Sequence, residues 1–98
     1  NVGALAAGQG LDQMGAYIAS KSATIRLTES LAVELKPFGI NVNGVLPDVI
    51  DTPRNRADMP DADYSSWVAP SDLAAVIGFL ASDAAAAVHG AMIPVTGR

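Results

Sequence analysis

An α/β fold with parallel strands is what this sequence predicts, and three observations predict it. Strand-like apolar runs alternate with helical stretches in the order strand end, helix, strand, lid, helix, strand. Successive strands then need helical crossovers, which implies parallel pairing. No proline occurs before Pro37, leaving room for one long helix. Half of the 98 residues are apolar, enough for one modest core and too many for a disordered tail.

The opening NVGALAA reads as the end of a buried strand running into a loop. With no basic stretch and no initiator Met, it is not expected to be a signal peptide, and the chain is expected to begin in mid-fold. The helix is expected from Asp12 or Gln13 to Lys36, because Ala, Leu, Glu, Lys and Arg fill its middle. At ~1.5 Å per residue it is ~35 Å long. Leu27, Leu31 and Leu35 recur every four residues as one apolar stripe, and Ala16, Ala19 and Ala23 keep another part of the surface small. Lys36 suits the negative end of the helix dipole, and Pro37 with Gly39 stops the helix.

Ile40, Val42, Val45 and Leu46 read as a short buried strand ended by Pro47. From Asp48 to Pro70 the prolines and aspartates read as a long loop, the usual composition of a binding lid. Ser71 is the expected N-cap of the next helix, with Pro70 before it and Asp72 in its first turn. DLAAVIGFLAS is apolar nearly all round, so burial on more than one side is expected. AMIPVTG reads as the final strand.

Composition narrows the function. The net charge is −4, and Lys and Arg are scattered, so no basic stripe for nucleic acid exists. No apolar run approaches the ~20 residues of a membrane helix. Without cysteine there is no disulfide framework or thiolate metal site, which fits a reducing, cytoplasmic setting.

The chemistry is concentrated in GAYIASKSA, where Tyr17 precedes Lys21 by four residues. On a helix such positions share one face and can converge on one ligand. An isolated tyrosine has a pKa near 10, too high for ready proton exchange at neutral pH. An ammonium one turn away favours the phenolate, so Lys21 is expected to lower the pKa of Tyr17 and make it a proton donor. Lys21 also has N–H groups to spare for a nucleotide sugar hydroxyl.

The whole chain resembles the short-chain dehydrogenase/reductase family. YIASK matches its Tyr-x-x-x-Lys motif; NVGA is similar to the strand and loop before its catalytic helix. INVNGVLPDVIDTP resembles its next strand and cofactor-contacting loop, and FLASDAAAAVHGAMIPVTG its last helix and strand. The resemblance implies that residues 1–98 are the C-terminal portion of a Rossmann-type, doubly wound parallel sheet lacking the N-terminal nucleotide-binding half. It implies hydride transfer from NAD or NADP, held mainly by that missing half, to a small-molecule substrate. Tyr17 would be the proton donor and a cofactor contact, Lys21 its tuner and ribose ligand, and Pro47, Ile50 and Thr52 would touch the nicotinamide. It further implies a homo-oligomer formed through the long helix around Ala19 and Ala23. By itself the chain is expected to bind nucleotide poorly and catalyse little.

Two departures from the family pattern stand out. Most members have Gly after the Pro of the cofactor loop, where this chain has Asp48. Most carry a Ser thirteen residues before the Tyr, where this chain has Ala4, and no hydroxyl precedes Tyr17 at all. Either the site is dead, or the substrate needs no polarising hydroxyl. The dihydropteridine reductase branch lacks that Ser, and DTPRNRADMPDADYSSW, Asp51 to Trp67, is similar to its lid motif. A quinonoid dihydropterin is already electron-poor and needs only a proton on a ring nitrogen, which Tyr17 would supply directly. The alternative is a lid shared by relatives with other substrates.

The remaining residues carry weaker signals. Tyr64 and Trp67 either stack on a flat substrate or anchor the lid, the anchor role being favoured for Trp67. Arg54 and Arg56 meet a phosphate or are simply solvated. His89 has no partners at metal spacing and reads as structural. Gly8 to Gly10 lacks the third glycine of a dinucleotide fingerprint. A rival reading keeps the fold but not the chemistry: a non-catalytic dimerisation module.

Overall fold

The computed structural model describes all residues, Asn1–Arg98. Its centre is a parallel pair, β1 (Gly44–Pro47) and β2 (Met92–Val95), in register from Gly44 opposite Met92 to Pro47 opposite Val95. The opening segment adds a third line on the far side of β1. Val2 bridges Val45 in parallel, the Gly3 N–H donates to the Val45 carbonyl, and the Val45 N–H donates to the Asn1 carbonyl. The expected strand end is there, and a 3-10 turn, Leu5–Gly8, follows it.

The long helix α1 is Gly15–Leu35. It begins later than Asp12 or Gln13 because Gln13 sits at φ 59°, in the left-handed region, which no α-helix accommodates. It ends as expected: Lys36–Phe38 form a 3-10 turn, and Gly39 at φ 69° returns its N–H to the Lys36 carbonyl. The buried stripe differs from the expected one. Ile18, Ile25, Thr28 and Ala32 face inward, whereas Leu27 is 57% exposed. A four-residue repeat drifts by ~40° per step on a 3.6-residue helix. The inward set steps by seven, three and four residues and stays on one face. The fully buried Thr28 hydroxyl donates to the Thr24 carbonyl at 2.7 Å and accepts from the Asn1 side-chain amide at 2.8 Å. Packing here is close enough that a Cβ on Gly3 would stand 2.8 Å from Leu46 and 3.2 Å from Ile25.

The strand expected from Ile40 begins only at Gly44, and Ile40 is exposed. Side chains replace the ladder before it. Asn41 and Asn43 donate to the Ala86 and Val88 carbonyls, and Asn43 accepts from the Ala91 N–H. His89 ties the same region together, with Nδ1 accepting from the Val42 N–H and Nε2 2.5 Å from the Ala32 carbonyl of α1.

The stretch from Asp48 to Pro70 is not the plain loop its composition suggests. It holds a short helix, α2 (Pro53–Asp58), and a 3-10 turn, Tyr64–Ser66. Thr52 caps α2 and Pro53 occupies its first position, a favourable start that six residues cannot advertise through periodicity. The segment closes on itself by a parallel bridge from Ile50 to Val68, and Val68 is fully buried.

The last helix, α3, is Pro70–Leu80. Ser71 is not its N-cap. Ala69 is, and Pro70 takes the first helical position, where a missing N–H costs nothing. Nor is α3 buried on several sides. Leu73, Val76 and Leu80 pack on the core of Val45, Val68 and Val95, while Ile77 and Phe79 are 41% and 50% exposed. No helix is long and apolar enough to cross a membrane.

Candidate active site

An open cavity of about 360 Å³ lies where three segments meet. Val2, Gly3, Ala4 and Ala6 come from the opening segment; Met14, Tyr17 and Lys21 from the start of α1; Pro47 to Ile50 from the loop after β1; Asn55 and Met59 from α2 and its end. The anchoring of α1 through Ile18 and Ile25 leaves Tyr17 and Lys21 free on the adjacent face. The two motif residues therefore share one wall, with Tyr17 about half exposed. Lys21 Nζ donates to the Val2 carbonyl at 3.3 Å, which ties the ammonium to the cavity's rim.

Ala4 is buried and lines the same cavity. The thirteen-residue spacing thus does place position 4 beside the tyrosine, and a methyl group stands there. Among the lining residues only Tyr17 carries a hydroxyl. Ser22 cannot substitute, since its hydroxyl donates to the Ala7 carbonyl at 3.0 Å. The hydroxyl of Tyr17 and the ammonium of Lys21 are therefore what this wall presents to the cavity.

Of the three residues expected against a nicotinamide, Pro47 and Ile50 line the cavity. Thr52 lies outside the lining, and its hydroxyl accepts the Asn55 N–H at 3.1 Å to cap α2. Asn55 in turn donates to the Ile50 carbonyl at 2.8 Å. Sequence reasoning missed Met14, Asn55 and Met59. Only the four-residue interval between Asn55 and Met59, one face of a helix, could have hinted at them.

The far side of α2 faces a second, polar cavity of about 500 Å³. There the Arg56 guanidinium donates to both carboxylate oxygens of Asp51, at 2.6 and 2.8 Å, and lies 4.5 Å over the Tyr64 ring. Those hydrogen bonds, aided by the Arg56 charge, hold the Asp51 carboxyl below the usual carboxylate range and push Arg56 up. Two hydrogen bonds from Ser65 do the same for Asp63. The Tyr64 oxygen lies within hydrogen-bond distance of the Arg56, Met59 and Pro60 carbonyls, at 3.3, 3.1 and 2.9 Å, and its ring meets Trp67 at 4.7 Å. These residues fasten the lid and do not enter the first cavity. Arg54 pairs only with Asp58, in the open.

Comparison with known proteins bears on this geometry. A family model described as enoyl-(acyl carrier protein) reductase matches residues 1–97. A 3-oxoacyl-[acyl-carrier-protein] reductase of Pseudomonas aeruginosa is 35% identical over 99% of this chain and 42% of its own length. Cyclohexanol dehydrogenase of a Rhodococcus species is 37% identical over 93% of this chain and 38% of its own. Among solved structures, a 4-hydroxyisoleucine dehydrogenase complexed with NADH superposes with a TM-score of 0.84 at 30% identity, covering 99% of this chain and 44% of that one. A short-chain dehydrogenase/reductase family protein gives 0.87 at 33%, covering 97% and 42%. The chain spans about two-fifths of the length of the relatives it matches.

Proposed function

Because the chain belongs to the short-chain dehydrogenase/reductase family, we propose that the whole protein is an NAD(P)-dependent oxidoreductase whose proton donor is Tyr17. The observation that carries this reading is a cavity whose single hydroxyl is the phenol of Tyr17, one helical turn from the ammonium of Lys21. The cofactor class is NAD or NADP, the nucleotides bound in neighbouring structures of the family. When bound, the nicotinamide supplies the hydride.

The chain's own residues fit that partner. Pro47 and Ile50 offer an apolar surface to a flat ring, and Lys21 offers N–H donors to a ribose hydroxyl. Thr52 acts on the same surface at one remove, by capping the helix behind it. As the acceptor is reduced, Tyr17 releases its proton to the basic atom that forms. The nearby ammonium stabilises the phenolate left behind, in a site partly shielded from water. With Ala4 in place of a hydroxyl, no second hydroxyl polarises the acceptor. The acceptor must therefore be electron-poor beforehand, and a quinonoid dihydropterin meets that requirement. The lid sequence from Asp51 to Trp67 supports the same choice.

The outer face of α1 supports a homo-oligomer. Ala16, Ala19 and Ala23 are exposed beside Leu27, and small residues allow helices to approach closely. The rival reading, a dimerisation module without chemistry, also uses this face and takes Ala4 as the mark of a dead site.

One experiment separates them. The whole protein is mixed with NADH or NADPH and quinonoid dihydropterin, and cofactor oxidation is followed by absorbance. Tyr17→Phe is expected to lower turnover by about 10² to 10⁴, the usual contribution of a general acid, with cofactor affinity retained. A variant indistinguishable from wild type, or no reduction of any pterin, quinone or carbonyl, supports the module.

A further inference from the structure

The polar groups of the candidate cavity divide between its walls. Donors come from α1: the Tyr17 phenol and the Lys21 ammonium. The lid wall brings acceptors. Asp48 lines the cavity and is exposed, and its carboxylate neither accepts a hydrogen bond nor joins an ion pair; the chain's four ion pairs are made by Arg26, Arg54, Arg56 and Arg98. The Asp48 backbone is pinned by its N–H, which donates to the Val95 carbonyl at 3.0 Å. Asn55 spends its side-chain N–H₂ on the Ile50 carbonyl, so its side-chain oxygen is the atom left for a ligand. The other lining side chains on this wall, Pro47, Val49, Ile50 and Met59, are apolar.

We propose that Asp48 and Asn55 select a nitrogen heterocycle that presents adjacent N–H donors to the lid wall, as the edge of a 2-amino-4-oxopyrimidine ring does. The assignment rests on reading this cavity as the site of reduction. A carboxylate accepts two parallel N–H bonds from such an edge, and its charge repels carboxylated or phosphorylated substrates. A ligand without N–H groups leaves both acceptors to water and forgoes those bonds, so the discrimination against it is moderate. The same docking turns the opposite side of the ligand, where reduction and protonation occur, toward Tyr17.

Pterin and lumazine test this directly. They share one bicyclic ring and differ by a 2-amino against a 2-oxo group, so only pterin offers the paired donors. Both are titrated calorimetrically into the whole protein saturated with NADH or NADPH. Pterin is expected to bind roughly tenfold tighter than lumazine, and Asp48→Asn to erase that preference. Asp48→Glu is expected to retain part of it. Equal affinity for the two ligands, binding of neither, or an undiminished preference in Asp48→Asn overturns the proposal. Cofactor binding is read in a separate titration of NADH or NADPH into the whole protein. Its absence sinks the reductase reading, whereas normal cofactor binding without discrimination sinks only the role given to Asp48 and Asn55.

Discussion

The two walls of the candidate cavity are held by different physics. The α1 wall is fixed by burial: Ile18, Ile25, Thr28 and Ala32 pack inward, and the side chains that face the cavity follow from the helix that carries them. The lid wall is fixed mainly by polar contacts at half-exposed positions: the Thr52 cap, the Asn55 bond to Ile50, the Arg56–Asp51 pair and the Tyr64 hydroxyl. Its one deep apolar anchor is Val68. Burial of a full side chain is worth ~1.5–3 kcal/mol, whereas an exposed ion pair is worth ~0–1. The comparison teaches that Tyr17 and Lys21 sit on the stiff wall, and Asp48 and Asn55 on the compliant one.

The largest effect should come from cutting into the stiff wall. Ile25→Ala removes the side chain that packs beside Gly3 and is expected to cost about 2–4 kcal/mol in chemical denaturation. Protection of α1 amides from hydrogen exchange should fall with global stability. A cost below about 1 kcal/mol would mean that burial is not what fixes α1.

A smaller, local effect is expected on the other wall. Tyr64→Phe deletes the hydroxyl that meets three lid carbonyls and should cost about 1 kcal/mol. Exchange at Met59 and Ala62, whose N–H groups close the turns of that segment, should speed up while α1 is unchanged. Equal acceleration in both regions would break the contrast.

The smallest effect is that of acid. Asp51 and Asp63, both in the lid segment, have folded pKa values lowered by hydrogen bonds from Arg56 and Ser65, below an ordinary value of 3.8. Groups depressed in this way stabilise the fold above their unfolded pKa, and the contribution is lost as pH falls through the folded one. Lid loosening is therefore expected below about pH 4, reported by Trp67, the single tryptophan, before α1 responds. In Asp51→Asn the acid transition should shrink. An acid response unchanged in that variant would show that the Arg56 pair does not hold the lid.

The legible part of this molecule was the part governed by neighbours in sequence. Tyr17 and Lys21 share a face because a helix repeats every 3.6 residues, and Pro37 and Gly39 end that helix by what their own backbones can do. The illegible part needed partners far along the chain. Periodicity alone favoured Leu27 for burial, but the choice fell to Ile25 and Thr28 because Gly3, Leu46 and Asn1 lie against that side. That the Thr52 hydroxyl accepts the Asn55 N–H and caps a short helix was likewise not written in any periodicity.

The sequence by itself determined the order of elements, the long helix, the Tyr17–Lys21 pair and the absence of a hydroxyl at Ala4, since each depends only on local geometry or residue identity. Tertiary structure alone decided that Ala4, Asp48, Asn55 and Met59 meet that pair around one cavity. Their convergence is set by the parallel pairing of β1 with Val2 and β2 and by the closing of the lid through Val68, contacts that no local pattern encodes.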